Sequence, residues 1–105
     1  MTSQPSFWDD RDLTVQERFE RFHARHPQVL GALVDLFQRW ARARRKRWSV
    51  DAAFHVLRFE RHIAGLPDEA ELFKLNNDYT SRYARLLIEQ YPEFSDLIEL
   101  RVLRA

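Results

Sequence analysis

The sequence predicts a mainly α-helical protein, with a four-helix body, a small two-stranded ribbon and a loose likeness to a winged-helix domain. Three observations support this prediction. Apolar residues recur at helical spacing in four segments, helix-capping residues and prolines separate those segments, and one short stretch near the C-terminus alternates at period two. A chain of 105 residues with a hydrophobic fraction of 45% can form one core. We expect residues 1–12 to be a flexible tail and residues 13–105 to be a single helical domain.

The first two helices are predicted from their N-terminal residues. Thr14 and Glu17 have the spacing of a capping box and open a helix to about Arg25. Pro27 suits the first position of a second helix, which runs to about Arg45. This second helix has a broad apolar face, formed by Val29, Leu33, Leu36, Phe37 and Trp40.

The third and fourth helices follow the same rules. Ser49 caps the third helix, and Gly65 followed by Pro67 ends it. Apolar residues cover most of its circumference, so we expect it to be the central and most buried helix. Asn76 or Asn77 caps the fourth helix, which extends to about Gln90. The residues expected to pack together at the centre of the core are Leu33, Phe37, Trp40, Phe54, Leu57, Tyr83 and Leu86.

Two short segments are predicted to be strands. Residues 72–75 are too few and too apolar for a helix of their own, and residues 98–102 alternate between apolar and charged side chains. Pairing them gives the two-stranded ribbon. If the fourth helix is a recognition helix and the final strand is part of a wing, the order of helices and strands loosely resembles that of a winged-helix domain.

Composition argues against several classes of function. Without cysteine the chain has no disulfide, thiolate nucleophile or thiolate zinc site. His55 and His62 are seven residues apart, roughly 10 Å along a helix, which is too far for both to bind one zinc ion. No carboxylate pair stands in an apolar setting suited to acid–base catalysis. We therefore expect neither an enzyme nor a metal or cofactor site. The absence of a signal peptide and of an apolar run near ~20 residues predicts a cytoplasmic protein without a membrane partner.

The charge distribution is more informative than the net charge of +1. Basic residues crowd the end of the second helix and the stretch after it: Arg39, Arg42, Arg44, Arg45, Lys46 and Arg47. Arginines at this spacing can each contact a nucleic-acid phosphate, and they do so in bidentate geometry. The alternative is a solvated helix end that is stabilised by the helix dipole.

The start of the fourth helix is a second candidate site. It combines side chains that can donate to and accept from base edges in a major groove: Asn76, Asn77, Thr80, Ser81, Arg82 and Arg85. The alternative is structural. In that case the asparagines cap the helix, and Arg82 or Arg85 forms an ion pair with Glu60 or Glu89.

Several segments resemble a family of small uncharacterised proteins encoded in phage and prophage genomes. The resemblance covers roughly residues 19–103 and rests on the segments Phe73-Lys74-Leu75-Asn76-Asn77, Tyr79-Thr80-Ser81-Arg82-Tyr83-Ala84-Arg85, Tyr91-Pro92-Glu93-Phe94 and Glu99-Leu100-Arg101, with Ser49, Ala52, Phe54, Arg58 and Glu60 before them. It implies a mobile-element context and assigns no role to any residue.

We expect a small nucleic-acid-binding protein of phage or prophage type, such as a regulator, with DNA as its partner. The alternative is a phage-encoded inhibitor that binds a host defence or restriction protein complex. The basic stretch favours nucleic acid, whereas the acidic segments at residues 9–12 and 68–71 favour the inhibitor.

Overall fold

The computed structural model of the protein describes residues 14–43, 47–74 and 76–99. Within these ranges the chain is mainly helical and contains no strand, which confirms the predicted helical class. In chain order the elements are α1 (Val15–Arg25), α2 (Pro27–Ala43), α3 (Val50–Ile63), α4 (Pro67–Glu71), α5 (Asn77–Gln90) and a 3-10 helix (Pro92–Asp96). The predicted tail at residues 1–12 lies outside the described residues.

The capping box that was predicted at the start of α1 is confirmed. The Glu17 backbone N–H donates to Thr14 Oγ1 at 3.1 Å, and the Thr14 backbone N–H donates to Glu17 Oε1 at 2.9 Å. The bond from the Thr14 backbone, with a smaller contribution from its hydroxyl, lowers the pKa of the Glu17 carboxyl below its ordinary value. The box therefore favours the ionised form of Glu17, which also interacts well with the positive end of the helix dipole.

Both ends of α3 agree with the sequence prediction. The Ser49 hydroxyl accepts from the Ala52 backbone N–H at 3.0 Å and caps the helix. At the other end, Gly65 has a φ of 76°, in the left-handed region that favours glycine. The Gly65 N–H donates to the His62 carbonyl and the Leu66 N–H donates to the Arg61 carbonyl. These two bonds are the Schellman motif, so the chain turns sharply before α4.

The predicted ribbon is wrong at its first segment. Pro67 begins the short helix α4, and residues 72–74 continue from it as a turn rather than a strand. In that turn the Phe73 N–H donates to the Ala70 carbonyl, and the Phe73 ring is buried against Phe54 at a centroid distance of 5.8 Å. The physical reason is that Pro67 with two acidic residues behind it favours a helical start, which then carries the apolar residues into the core.

The second strand of the ribbon also has a different partner. Ile98 forms an isolated parallel bridge with Trp48, where the Trp48 N–H donates to the Leu97 carbonyl at 2.7 Å. The Glu99 N–H donates in turn to the Trp48 carbonyl at 3.0 Å. Residues 75 and 100–102 lie outside the described residues. The described part of the predicted second strand, residues 98 and 99, therefore pairs with the α2–α3 connection and not with residues 72–74.

The core lies among α2, α3 and α5, with α1 packed on α5 and α4 packed on α3. Leu33, Phe37, Phe54, Leu57 and Tyr83 are buried as predicted. Two other predicted core residues, Trp40 and Leu86, are only partly buried.

The third helix, which was predicted to be the central and most buried one, contacts α2, α4 and α5 but is buried on one face only. Its inner face, which includes Phe54 and Leu57, lies in the core. Phe59 keeps 64% of its surface exposed and Ile63 keeps 70%. Although α3 contacts α2, α4 and α5, its outer face is open among the described residues.

Candidate functional site

The described part of the basic stretch lies at the end of α2 and just before α3. Arg39 and Arg42 are exposed on α2, three residues apart, and Arg47 is exposed next to Trp48. Arg45 and Lys46, which were predicted to belong to the same site, lie outside the described residues, as does Arg44. The structure therefore places three of the predicted phosphate-binding residues on the surface.

The three described arginines differ in their surroundings. Arg39 Nε is 3.2 Å from Asp35 Oδ2, one turn earlier on α2, and its Nη2 is 3.9 Å from Glu60 Oε1 on α3. These carboxylates offset much of its charge, although the pairs are exposed and individually weak. Among the described residues, no carboxylate lies within ion-pair distance of Arg42 or Arg47. Arg42 and Arg47 are therefore the described arginines of this stretch whose charge is not offset by a nearby carboxylate among the described residues.

A tryptophan pair fixes the position of Arg47 relative to α2. The rings of Trp40 and Trp48 stack with their centroids 4.8 Å apart and an interplanar angle of 22°. Trp48 also packs against the buried Phe37 ring, at 5.4 Å. Both tryptophans are partly exposed. Because Trp48 is held by these rings and by the bridge to Ile98, the neighbouring Arg47 is anchored close to the last turns of α2.

The start of α5 uses most of its polar side chains within the fold. Asn76 caps the helix, and its Oδ1 accepts from the backbone N–H groups of Asp78 at 3.0 Å and Tyr79 at 3.3 Å. The hydroxyls of Thr80 and Ser81 both donate to the Asn77 carbonyl. Thr80 is buried. Of the residues predicted to read bases, Asn76 and Asn77 are exposed, but the Asn76 side chain is already engaged.

The two arginines of α5 are also drawn towards the protein. Arg82 is 9% exposed, and its Nε donates to Gln16 Oε1 on α1 at 2.9 Å. Its Nη1 donates to the Asp78 carbonyl at 3.2 Å. Arg85 is partly buried and has an interaction partner of its own. Arg82 thus joins α5 to α1, and its described hydrogen bonds are made within the fold.

Sequence reasoning missed the exposed apolar residues on the outer face of α3. At 100° per residue, Phe59 lies about 140° around the helix from Phe54, and Ile63 about 120° from Leu57. This angular separation indicates that both residues point away from the core. Counting apolar residues along the helix concealed it, because α3 carries them on two faces.

The remaining chemistry of the described residues is limited. They contain no group of three or more His, Asp or Glu side chains placed to hold a metal ion. None of the helices formed by residues 14–43, 47–74 and 76–99 is long and apolar enough to cross a membrane. The basic end of α2, the outer face of α3 and the acidic side chains of α4 are three described surfaces with a distinct chemical character.

No protein-family model, curated protein or solved structure matches the chain. The resemblance to phage and prophage proteins stays a prediction.

Proposed function

We propose that the protein binds nucleic acid through the end of α2 and the connection to α3. Arg42 and Arg47 contact phosphates directly, and Arg39 adds a partly neutralised charge. Arg45 and Lys46, which stand between Arg42 and Arg47 in the sequence, were predicted to belong to the same site and lie outside the described residues. The observation that carries the proposal is that Arg42 and Arg47 are exposed and have no carboxylate partner among the described residues. The stacked rings of Trp40 and Trp48 hold the segment that carries Arg47 against the end of α2.

Phosphate recognition suits this arrangement for two reasons. A guanidinium group binds a phosphate with two parallel hydrogen bonds, and it is more weakly hydrated than an ammonium group. Anchoring Arg47 through Trp48 also reduces the conformational entropy that is lost when its side chain is ordered on a ligand. We infer that DNA is the partner, because a duplex carries one negative charge per ~1.7 Å of its axis and so offers a short basic segment several phosphates.

The proposed contacts confer affinity more than sequence specificity. Phosphate contacts position a protein on nucleic acid, whereas contacts with base edges read the sequence. Thr80 and Arg82, two of the residues expected to read bases, are buried in the fold. A phage-type regulator that reads a DNA sequence would therefore need base contacts from elsewhere in the chain. The surface at the end of α2 is proposed to bind phosphates only.

The first prediction tests the arginines directly. We expect the double variant Arg42→Ala/Arg47→Ala to bind a short DNA duplex more weakly than the parent, because two phosphate contacts are lost. The slope of log K against log salt should become shallower by about two, since each lost contact contributes roughly 0.9. Fluorescence anisotropy from about 50 to 200 mM salt measures both quantities.

The matched control removes the same charge elsewhere. Arg25 on α1 and Lys74 after α4 are both exposed, so Arg25→Ala/Lys74→Ala lowers the net charge by the same two units. This control should keep the parent's affinity and salt slope. Equal losses in the two double variants would mean that only net charge matters. A folded parent without affinity for DNA near 50 mM salt would contradict the proposed function.

A second function, inhibition of a host defence or restriction protein complex, is favoured by one observation. The acidic side chains of α4 (Asp68, Glu69 and Glu71) are all exposed. Such an acidic cluster is electrostatically complementary to a basic surface on another protein, such as a nucleic-acid-binding groove. Co-purification of host proteins with the parent chain and with the charge-reversed variant Asp68→Lys/Glu69→Lys tests this candidate. A host protein that is captured by the parent and lost with the variant would support it.

A further inference from the structure

A cavity of about 320 Å³ lies between α1, the end of α4 and the start of α5. It is lined by Leu72 and by the rings of Phe22 and Tyr79, whose centroids are 5.1 Å apart. The buried Phe54 of α3 also lines it, so the cavity reaches from the surface to the core. Small-molecule sites in proteins have volumes of roughly 300–1,000 Å³ and mostly apolar walls. This cavity, which we call the α4–α5 cavity, has both properties.

Two opposite charges stand at the mouth of the α4–α5 cavity. Glu71 and Lys74 both line it, and both are exposed. The Lys74 backbone N–H donates to the Glu71 carbonyl at 3.2 Å, so the two residues are one helical turn apart. Residues at this spacing have Cβ atoms about 5–6 Å apart. Among the described residues, neither charge lies within ion-pair distance of an opposite one, so a carboxylate and an ammonium are available to a ligand at the same place.

The side chain of Asn76 adds a hydrogen-bond donor to the α4–α5 cavity, which it also lines. Its Oδ1 caps α5 by accepting from the backbone N–H groups of Asp78 and Tyr79. Because the oxygen of the amide is used in this way, its NH₂ group is the part that is left to donate. Within the part of the chain that the structure describes, this NH₂ group donates to no other residue.

We propose that the α4–α5 cavity binds a free α-amino acid with a large apolar side chain. The ammonium of the ligand contacts the Glu71 carboxylate, and its carboxylate contacts the Lys74 ammonium and the Asn76 amide. The apolar side chain of the ligand packs against three lining residues: Phe22, Leu72 and Tyr79. This site is independent of the proposed nucleic-acid function, because none of these residues belongs to the basic stretch at the end of α2.

The charges at the mouth favour this class of ligand over simpler ones. At neutral pH a free amino acid carries one positive and one negative group on the same carbon. An anionic ligand would bring its charge next to Glu71, and a cationic ligand would bring its charge next to Lys74, so each would meet repulsion. A ligand with both charges meets an opposite charge at each position.

The expected affinity is modest. Exposed ion pairs are individually weak, so most of the binding free energy comes from burial of the apolar side chain. For a ligand of the size of L-phenylalanine, these contributions correspond to a dissociation constant of about 1 mM.

The second prediction tests the class of ligand with L-phenylalanine as the probe. Its addition to the isotope-labelled chain should give saturable shifts of the backbone amide resonances of Glu71, Leu72 and Tyr79, with a dissociation constant of about 1 mM. Hydrocinnamate, which lacks the ammonium, and phenethylamine, which lacks the carboxylate, should each bind about two- to fivefold more weakly. L-Alanine should bind at least about tenfold more weakly, because it lacks the ring.

Variants at the mouth of the α4–α5 cavity test the site itself. Glu71→Gln and Lys74→Gln should each weaken binding of L-phenylalanine by about two- to fivefold, since each removes one ion contact. Glu69→Gln is the matched control, because it removes another exposed carboxylate of α4 that does not line the cavity, and it should bind like the parent. Amide spectra without ligand should show that every variant is folded. No saturation up to about 10 mM L-phenylalanine, or equal losses in Glu69→Gln and Glu71→Gln, would overturn the site. Equal affinity for L-phenylalanine and hydrocinnamate would overturn the choice of a zwitterionic ligand.

Discussion

Tyr83 is the residue at which the helices meet most closely. Its side chain is fully buried, and its ring contacts Phe19 of α1 at 4.7 Å and Phe54 of α3 at 6.0 Å. Its hydroxyl lies 3.5 Å from His23 Nδ1. Burial, with a smaller contribution from the neighbouring Tyr79, raises the pKa of Tyr83 above its ordinary value. The phenolate form is therefore disfavoured in the folded state.

The third prediction concerns stability at high pH. Because the pKa of Tyr83 is higher in the folded state than in the unfolded state, its contribution is fully present below about pH 10 and is lost as the pH rises towards the folded value. Tyr83→Phe removes this titration, so its free energy of unfolding should fall less steeply above pH 10 than the parent's. Urea unfolding at pH 8 to 11 measures the difference. Parallel pH profiles for parent and variant would contradict it.

Local residue roles were predictable from sequence where they depend on near neighbours. Thr14 and Ser49 cap helices because the N–H groups that they accept from are three residues away. Gly65 adopts a positive φ because the chain must stop a helix there. The burial of Thr80 and Arg82 was not predictable, because it depends on how α1 and other elements pack against α5. Arg82 bonds to Gln16, which is 66 residues away in sequence.

At the scale of the element, α3 has two apolar faces with different roles. Phe54 is 2% exposed and lies between Phe73 and Tyr83, whereas Phe59 is 64% exposed on the other side of the helix. The same residue type, five positions apart, therefore lies in two environments. This contrast offers a matched pair of substitutions within a single helix.

The fourth prediction uses that pair. Phe54→Ala should lower the free energy of unfolding by about 3–5 kcal/mol, because it leaves a cavity in the core. Phe59→Ala should change it by less than about 0.5 kcal/mol, because the Phe59 side chain is exposed. Urea denaturation of both variants gives the comparison. Similar losses in the two variants would mean that the outer face of α3 is buried in the single chain.

Helix existence was easier to predict than helix boundaries and partners. Four helices followed from apolar periodicity and caps, and each was found. The short helix α4 was missed because five residues are too few to show a period, so its apolar end was interpreted as a strand. The bridge between Trp48 and Ile98 could not be predicted, since no local pattern specifies which distant backbone a single residue pairs with.

At the scale of the whole molecule, the last described residues belong to the core. Ile98 is 1% exposed, and its neighbours Leu97 and Glu99 hold Trp48 through two backbone hydrogen bonds. The end of the chain is thereby tied to the segment that carries Arg47. The basic surface was predictable from the run of arginines, whereas the structure that holds it in place was not.

The fifth prediction concerns this connection. Ile98→Ala should lower the free energy of unfolding by about 2–5 kcal/mol, as expected for a buried isoleucine. It should also shift tryptophan emission to the red, because Trp48 becomes more exposed when its bridge to Ile98 is weakened. Leu66→Ala, at an exposed site, is the control. An unchanged stability would show that residues 97–99 do not belong to the cooperative unit.

The bridge between Trp48 and Ile98 also determines when the basic surface can form during synthesis. Its two residues are 50 positions apart (98 − 48), and α3, α4 and α5 are made between them. A ribosome adds roughly 5–20 residues each second, so the partner of Trp48 follows it by several seconds and then has to leave the exit tunnel. A nascent chain can form α1 and α2 during this interval, and the rings of Phe37 and Trp40 can then contact Trp48, but the two backbone hydrogen bonds between Trp48 and residues 97 and 99 are still missing. The surface proposed to bind nucleic acid therefore acquires its full set of supporting contacts only after α5 has been synthesised.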